Sequence, residues 1–161
     1  MEEYHENYVK QLSHLLSICN DGKEGYKKAA EEVHSAQLKE IFLRNSADRE
    51  RMAEELKIKI RQFGGHANDE KGDNVGKLHR TYMAFKTALA SRQKDDQAVL
   101  QSVRGGEEAA LEAYDDVLQG EILNTSLKPF LTGQRTQVSQ NFYEIDKIYF
   151  SEFKTSPDLN L

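Results

Sequence analysis

The sequence is poor in the residues that mark several classes of protein. Its 161 residues include no tryptophan, two prolines and one cysteine. Because the single Cys19 cannot form a disulfide within the chain, a disulfide-stabilised scaffold is excluded, and we expect a buried, reduced thiol. No apolar run approaches the roughly 20 residues that a membrane-spanning helix needs. We therefore predict no membrane partner.

The sequence also lacks any long segment whose charges are all of one sign. The net charge is -5, from 22 basic and 27 acidic residues that are interspersed. This pattern favours solubility and provides no basic surface for nucleic acid. The first six residues, Met1–Glu6, are polar and acidic, unlike the basic and then apolar order of a signal peptide. We expect a cytoplasmic protein that does not bind nucleic acid.

The abundant residues, which are Ala, Leu, Glu, Lys and Gln, favour helix. Apolar residues recur at three- and four-residue steps, the period of an amphipathic helix. Capping residues and glycines divide this pattern into five helices. The predicted helices are Glu3–Val33, a helix capped by Ser35 and ending at Phe63, Val75–Ala90, a helix capped by Asp95 or Asp96 and ending at Gln119, and a last helix from between Glu121 and Thr125 to Phe153.

These elements predict an all-α protein with one domain. Residues 1–153 form a single bundle of four long helices, and the short helix Val75–Ala90 lies in the crossover between two helical hairpins. Residues 154–161 form a polar C-terminal tail. Two hairpins joined by a long crossover have the ferritin-like topology.

Polar residues interrupt the apolar helix faces near the middle of the predicted bundle. An acidic residue in such a place costs free energy unless it is paired, hydrogen-bonded or bound to a metal. We predict that Glu107 pairs with Lys23 or Arg49, and that amide side chains satisfy the remaining groups. The alternative is that the same residues bind a small polar ligand or a metal ion. The predicted polar belt consists of Lys23, Asn45, Arg49, Glu107, Gln134 and Asn141.

A weak internal repeat relates the two halves of the chain. A shift of 84 residues places Gly22 on Gly106 and Lys23 on Glu107. Glycine inside a helix costs roughly 1 kcal/mol relative to alanine. We therefore predict that both glycines allow a neighbouring helix to approach closely.

Several strings in the sequence resemble ferritin-like proteins. Gly106-Glu107-x-x-Ala110-x-x-x-Tyr114 is similar to the helix motif of rubrerythrin-like proteins, whose glutamate is an iron ligand. A closer resemblance, over about Leu12 to Leu118, is to a bacterial family of ferritin-like four-helix bundles of unknown function. It rests on Asn20-Asp21-Gly22-x-Glu24-Gly25-Tyr26-x-x-Ala29-Ala30, on Gly64-Gly65 followed by Gly76-x-Leu78-His79-Arg80-x-x-Met83, and on Gly106-Glu107.

The iron ligands of ferritin-like proteins are not all present. A di-iron centre uses a glutamate from each of two helices and a Glu-x-x-His motif from each of the other two. Glu50 and Glu54 in the second helix, and Glu144 in the last, lack a histidine three residues later. We therefore expect no cofactor, with iron or another divalent metal as the alternative. That alternative would use Glu24, Asp48, Glu107 and Glu108.

A ferritin-like resemblance without its metal ligands predicts a non-catalytic bundle with a partner-binding or stress-associated role. The alternative is a metal-binding ferritin-like protein, or an oxidoreductase with a divergent carboxylate site. Apolar residues on outward helix faces also predict a homo-oligomer or a partner surface. The aromatic residues that indicate this surface are Tyr143, Tyr149, Phe150 and Phe153.

Overall fold

A computed structural model describes residues 2–67, 95–120 and 126–153, with side chains from residue 5 onward. Within these ranges all regular structure is helical, and there is no strand. The prediction of an all-α protein is confirmed. The four helices are α1 (Glu2–Glu32), α2 (Ala36–Gln62), α3 (Asp96–Gln119) and α4 (Leu127–Glu152).

Three sequence predictions lie outside the described residues. They are the crossover helix Val75–Ala90, the start of the last helix between Glu121 and Thr125, and the polar tail 154–161.

Side-chain caps fix where α2 and α3 begin. The Oγ atom of Ser35 accepts a hydrogen bond from the Leu38 amide at 3.2 Å, and Asp95 Oδ1 accepts one from the Ala98 amide at 2.7 Å. Each cap satisfies an amide that has no partner inside its own helix. Ser35 is therefore an N-cap, as predicted, and of the two candidates Asp95 and Asp96 it is Asp95 that caps α3.

The C-terminal end of α2 is a glycine turn that packs on the start of α1. Gly64 has a φ of 79°, which is favourable for glycine. The amides of Gly64 and Gly65 donate to the carbonyls of Arg61 and Ile60, both at 3.0 Å, in the pattern of a Schellman motif. A Cβ at Gly65 would lie 2.6 Å from Val9 Cγ1. The glycine therefore lets the end of α2 contact α1, and the two helices run antiparallel.

The start of α3 is attached to the turn between α1 and α2. The two carboxylate oxygens of Asp96 accept hydrogen bonds from the His34 amide at 2.7 Å and from the Ser35 amide at 2.9 Å. Helix α3 therefore begins at the same end of the bundle as α2, and these two helices run in the same direction. Residues 68–94 connect the opposite end of α2 to this point.

Arginine–carboxylate pairs establish the direction of α4. Arg104 Nη2 on α3 lies 2.6 Å from Asp146 Oδ1 on α4, and Arg135 on α4 is paired with Asp115 on α3. Because the earlier residue of α3 pairs with the later residue of α4, these helices are antiparallel. The order along the chain is up, down, down, up.

The interior contains two apolar clusters instead of one continuous core. Buried polar side chains separate the clusters at one level of the bundle: Asn45 and Arg49 on α2, Glu107 on α3 and Asn141 on α4. Gln134 lies between residues of the first cluster. One cluster includes Leu12, Leu16, Leu56, Ile60, Leu131 and Val138, and the other includes Ala30, Leu38, Phe42, Val99, Leu100 and Ile145.

Only part of the predicted aromatic surface on α4 is exposed. Tyr143 is 69% and Phe150 is 49% exposed, whereas Phe153 is half-buried. The expectation that Tyr149 is exposed is wrong, because it lies on the inner stripe of α4 and is only 2% exposed. The Arg104 guanidinium also covers its ring, 4.3 Å from the centroid.

Candidate functional site: a polar layer inside the bundle

Arg49 and Glu107 form an ion pair in the middle of the bundle. Arg49 Nη2 on α2 lies 2.5 Å from Glu107 Oε1 on α3, and the side chains are only 1% and 4% exposed. Burial lowers the pKa of Arg49, but the Glu107 carboxylate, with smaller contributions from Cys19, Tyr26 and Tyr114, outweighs burial and holds that pKa above its usual range. The guanidinium is therefore a permanent internal positive charge that is neutralised by one buried carboxylate.

Gly22 on α1 leaves room for this arginine. A Cβ at Gly22 would lie 3.3 Å from both Cγ and Nε of Arg49, which is closer than ordinary contact between carbon atoms. Gly106, its equivalent in the other half of the chain, is exposed, and a Cβ there would meet nothing within 4 Å. The prediction of a close contact therefore holds at Gly22 and is wrong at Gly106.

The inward-facing position of the repeat is shifted by one residue between α1 and α3. In α3, Glu107 faces inward and the preceding Gly106 faces outward. In α1, Gly22 faces Arg49, and the following Lys23 is 23% exposed, with its Nζ atom 3.9 Å from Glu24 Oε1. Successive residues are about 100° apart around a helix, which accounts for the difference. Glu107 is consequently paired with Arg49 and not with Lys23.

A second set of polar groups lies beside the ion pair. The Tyr114 hydroxyl donates to Gln134 Oε1 at 2.7 Å, and Gln134 Nε2 donates to the Met52 carbonyl at 3.1 Å and to Glu55 Oε2 at 3.2 Å. The Cys19 sulfur lies 3.4 Å from the Tyr114 oxygen. Because the tyrosine proton is directed to Gln134, the thiol is the donor to Tyr114. This set links all four helices through satisfied hydrogen bonds.

One buried thiol and two buried phenols of this region remain protonated at neutral pH. Burial raises the pKa of the Cys19 thiol above its ordinary value of 9.0. Burial also raises the pKa values of Tyr26 and Tyr114 well above the ordinary 10.0, with the charge of Glu107 adding to the effect at Tyr26. The thiol and both phenols therefore act as neutral hydrogen-bonding groups. We define the central polar layer as Cys19, Tyr26, Asn45, Arg49, Glu107, Tyr114, Gln134 and Asn141.

The carboxylates of the predicted metal site do not converge. Glu24 and Glu108 are exposed, and Asp48 lies 3.8 Å from Arg51 Nη2. Glu107 alone is buried, against Arg49. In the part of the chain that the structure describes, no group of three or more His, Cys, Asp or Glu side chains could hold a metal ion. Nor is any described helix long and apolar enough to cross a membrane.

The sequence analysis predicts the buried Cys19 thiol but not the hydrogen-bonding roles of Tyr26 and Tyr114. Both tyrosines lie on apolar helix stripes, where packing is the ordinary role of an aromatic residue. The available signal was the hydroxyl itself, because a buried tyrosine usually needs a hydrogen-bond partner. Tyr114 also follows Glu107 by seven residues, which places both on one helix face.

With this geometry established, comparison with known proteins identifies a family. The family described as a domain of unknown function (DUF2383) matches residues 7–120. The chain belongs to the DUF2383 family. The matched range includes the Arg49–Glu107 pair, whereas Gln134 and Asn141 on α4 lie beyond it. No curated protein matches the chain.

Proposed function

We propose that this chain is a non-catalytic, ferritin-like helical bundle in which the Arg49–Glu107 ion pair replaces a di-iron site. Three observations support the topology: the up, down, down, up order, the position of residues 68–94 between the two hairpins, and polar groups at mid-bundle. Residues 1–153 would then form one bundle, with 154–161 as its tail. The buried Cys19 thiol forms no disulfide within the chain, which fits a reducing, cytoplasmic setting.

The observation that carries this proposal is the position of the Arg49 guanidinium. It lies between α2 and α3 with its charge balanced by Glu107, the one acidic residue buried in the described interior. A divalent cation at this level would meet a permanent positive charge at close range. It would also compete with Arg49 for Glu107. The arrangement therefore favours a role that depends on the shape and surface of the bundle.

Metal analysis of the full chain, purified without chelators, tests the proposal. We expect no stoichiometric iron, manganese or zinc, and no rise in melting temperature when these ions are added, since a ligand specific for the folded state would raise it. A Glu107→Gln variant is the matched control, because it removes the only buried carboxylate of the layer. Stoichiometric metal that is lost in this variant would contradict the proposal and favour the alternative of a metal-binding or oxidoreductase site.

The alternative site built on Glu24, Asp48, Glu107 and Glu108 has less support. Two of these carboxylates are exposed, and Glu107 is already paired. A stress-associated role follows only from the sequence resemblance and stays a prediction.

The surface of α4 favours partner binding, either by another protein or by a second copy of the chain. Tyr143 and Phe150 are seven residues apart, so both lie on one helix face. Exposed aromatic residues of this kind are enriched in protein interfaces. Light scattering should show a larger mass for the natural chain than for a Tyr143→Ser, Phe150→Ser variant if this face joins two copies. Equal masses would exclude self-association through it.

A further inference from the structure

Seven buried polar atoms of the central layer make no hydrogen bond of ordinary geometry with the described residues. They belong to five residues, each at most 4% exposed, and all four helices contribute. Elsewhere, buried polar groups in proteins are almost always paired, with protein or with ordered water. The seven atoms are the Tyr26 hydroxyl oxygen, Nδ2 and Oδ1 of Asn45, Nε and Nη1 of Arg49, Oε2 of Glu107 and Nδ2 of Asn141.

These atoms lie at the level of the Arg49–Glu107 pair. Arg49 and Glu107 are in direct contact, and burial and the Glu107 carboxylate both raise the pKa of Tyr26. Asn141 lies between the two apolar clusters on α4, just as Asn45 and Arg49 do on α2.

The register between α2 and α4 supports the position of Asn141. Arg44 Nη2 lies 2.6 Å from Glu144 Oε1, and Arg51 Nη2 lies 3.5 Å from Gln137 Oε1. Asn141 falls between Glu144 and Gln137 along α4, so it is level with the α2 residues between Arg44 and Arg51. Its amide therefore lies at the level of the ion pair.

Direct pairing among these groups cannot satisfy them all. The unpaired donors are the Nε and Nη1 hydrogens of Arg49, the two side-chain amide groups and the Tyr26 hydroxyl, whereas the unpaired acceptors are Glu107 Oε2, Asn45 Oδ1 and the Tyr26 oxygen. Donor hydrogens exceed acceptors even after every possible internal pair forms. Whatever completes the layer must therefore accept hydrogen bonds.

The charge of the layer restricts the chemical class further. Arg49 and Glu107 already neutralise each other, so an added anion or cation would leave a net charge in an interior with little solvent. A neutral molecule avoids that cost. Water is neutral, small, and both donor and acceptor, and buried waters typically make about three hydrogen bonds to such groups.

We infer that the central polar layer is an internal water site, in which ordered water bridges Arg49 Nη1, Glu107 Oε2 and the amides of Asn45 and Asn141. This inference goes beyond the proposed function, because a non-catalytic bundle could equally have a dry layer. The water would connect α4, through Asn141, to an ion pair that otherwise joins only α2 and α3.

A crystal structure of the full chain, at a resolution that shows ordered water, tests the inference. We expect at least one water within hydrogen-bond distance of Glu107 Oε2 and Arg49 Nη1. The Asn141→Leu variant, of similar size, should lose at least one of these waters. Gln140→Leu is the matched control, since Gln140 is the exposed neighbour on the same helix and its replacement should leave the waters unchanged.

Oxygen-17 relaxation dispersion gives a second readout in solution, because it counts long-lived internal waters. The count should be lower for Asn141→Leu than for the natural chain and for Gln140→Leu. If Asn141→Leu does not fold, the electron density of the natural chain alone shows whether water occupies the layer. A dry layer, in which these atoms pair directly, would overturn the water site and leave the proposed function intact. A metal ion in the layer would overturn both.

Discussion

Two arginines on α2, five residues apart, make contrasting ion pairs. Arg49 reaches Glu107 inside the bundle, with both side chains almost fully buried. Arg44 reaches Glu144 on α4 with Nη2 2.6 and 2.7 Å from the two carboxylate oxygens, but its side chain is 54% exposed. Chemistry and distance are nearly the same, so the difference lies in solvation. Inside the bundle, each charge of the pair requires the other because water is excluded, whereas at the surface water can replace the partner.

The contrast teaches that a close ion pair is not by itself a source of stability. Exposed pairs contribute about 0–1 kcal/mol, because water already stabilises each charge. In a buried pair each charge has lost its water, and the partner offsets that loss. Loss of one partner should therefore destabilise the protein strongly at the central pair and little at the surface pair.

The largest expected effect comes from removing the buried carboxylate. Glu107→Gln leaves the Arg49 charge buried without a counter-charge, and should lower the free energy of unfolding by about 3–5 kcal/mol. Urea denaturation followed by circular dichroism measures it. Glu108→Gln, on the exposed neighbouring residue, should change stability by no more than about 0.5 kcal/mol. Equal effects of the two substitutions would contradict a buried pair.

A smaller effect should separate the two glycines of the internal repeat. Gly22→Leu places a side chain against Arg49 and should cost about 1–3 kcal/mol by overpacking. Gly106→Ala, in open space within a helix, should instead raise stability by roughly 0.5–1 kcal/mol. Thermal melts of both variants provide the comparison. A destabilised Gly106→Ala would show that this glycine makes a contact that the structure lacks.

Alkaline pH should weaken the central layer but not the surface pair. Cys19, Tyr26 and Tyr114 hold their protons more firmly in the folded than in the unfolded chain. Their contribution to the free energy of unfolding is complete at pH values below the pKa values of the unfolded chain. Above about pH 9 these groups ionise when the chain unfolds, so the free energy of unfolding falls. The fall is up to about 1.4 kcal/mol per pH unit for each such group. Urea melts at several pH values measure the slope.

The Cys19→Ala variant measures how much the thiol contributes to the pH dependence of the free energy of unfolding. It should reduce the fall in stability between about pH 9 and pH 10, where the unfolded thiol ionises before the phenols. An unchanged slope would assign the alkaline sensitivity to other groups.

The smallest expected effect is at the exposed pair. Glu144→Gln should cost about 0–1 kcal/mol, less at high salt because the charges are then screened. A loss comparable with that of Glu107→Gln would remove the contrast between the two pairs.

Most of the fold could be predicted from the sequence, because helices are encoded locally. Three- and four-residue apolar steps predicted all four described helices, and Ser35 and the Asp95-Asp96 pair marked two of their starts. The polar residues on inner stripes could be identified in the same way, since burial of Asn45 or Arg49 follows from their spacing.

The partner of Glu107 could not be predicted, because it depends on how each helix is rotated about its axis. Lys23 and Arg49 both lie near an inner stripe, and only the packed bundle shows that Lys23 turns outward. The same rotation exposes Gly106 although its repeat equivalent Gly22 is a close contact. Sequence spacing determines a face to within about one residue, and here one residue decides the pairing.

A double-mutant cycle at Arg49 and Glu107 tests the central claim most directly. The variants are Arg49→Met, Glu107→Gln and the two together, with Arg44→Met and Glu144→Gln as the matched surface cycle. If the buried charges depend on each other, the double variant should lose much less stability than the sum of the single losses. We expect a coupling near the upper end of about 0.5–3 kcal/mol for the buried pair, against about 0.2–1 kcal/mol at the surface. Additive losses at Arg49 and Glu107 would contradict the account.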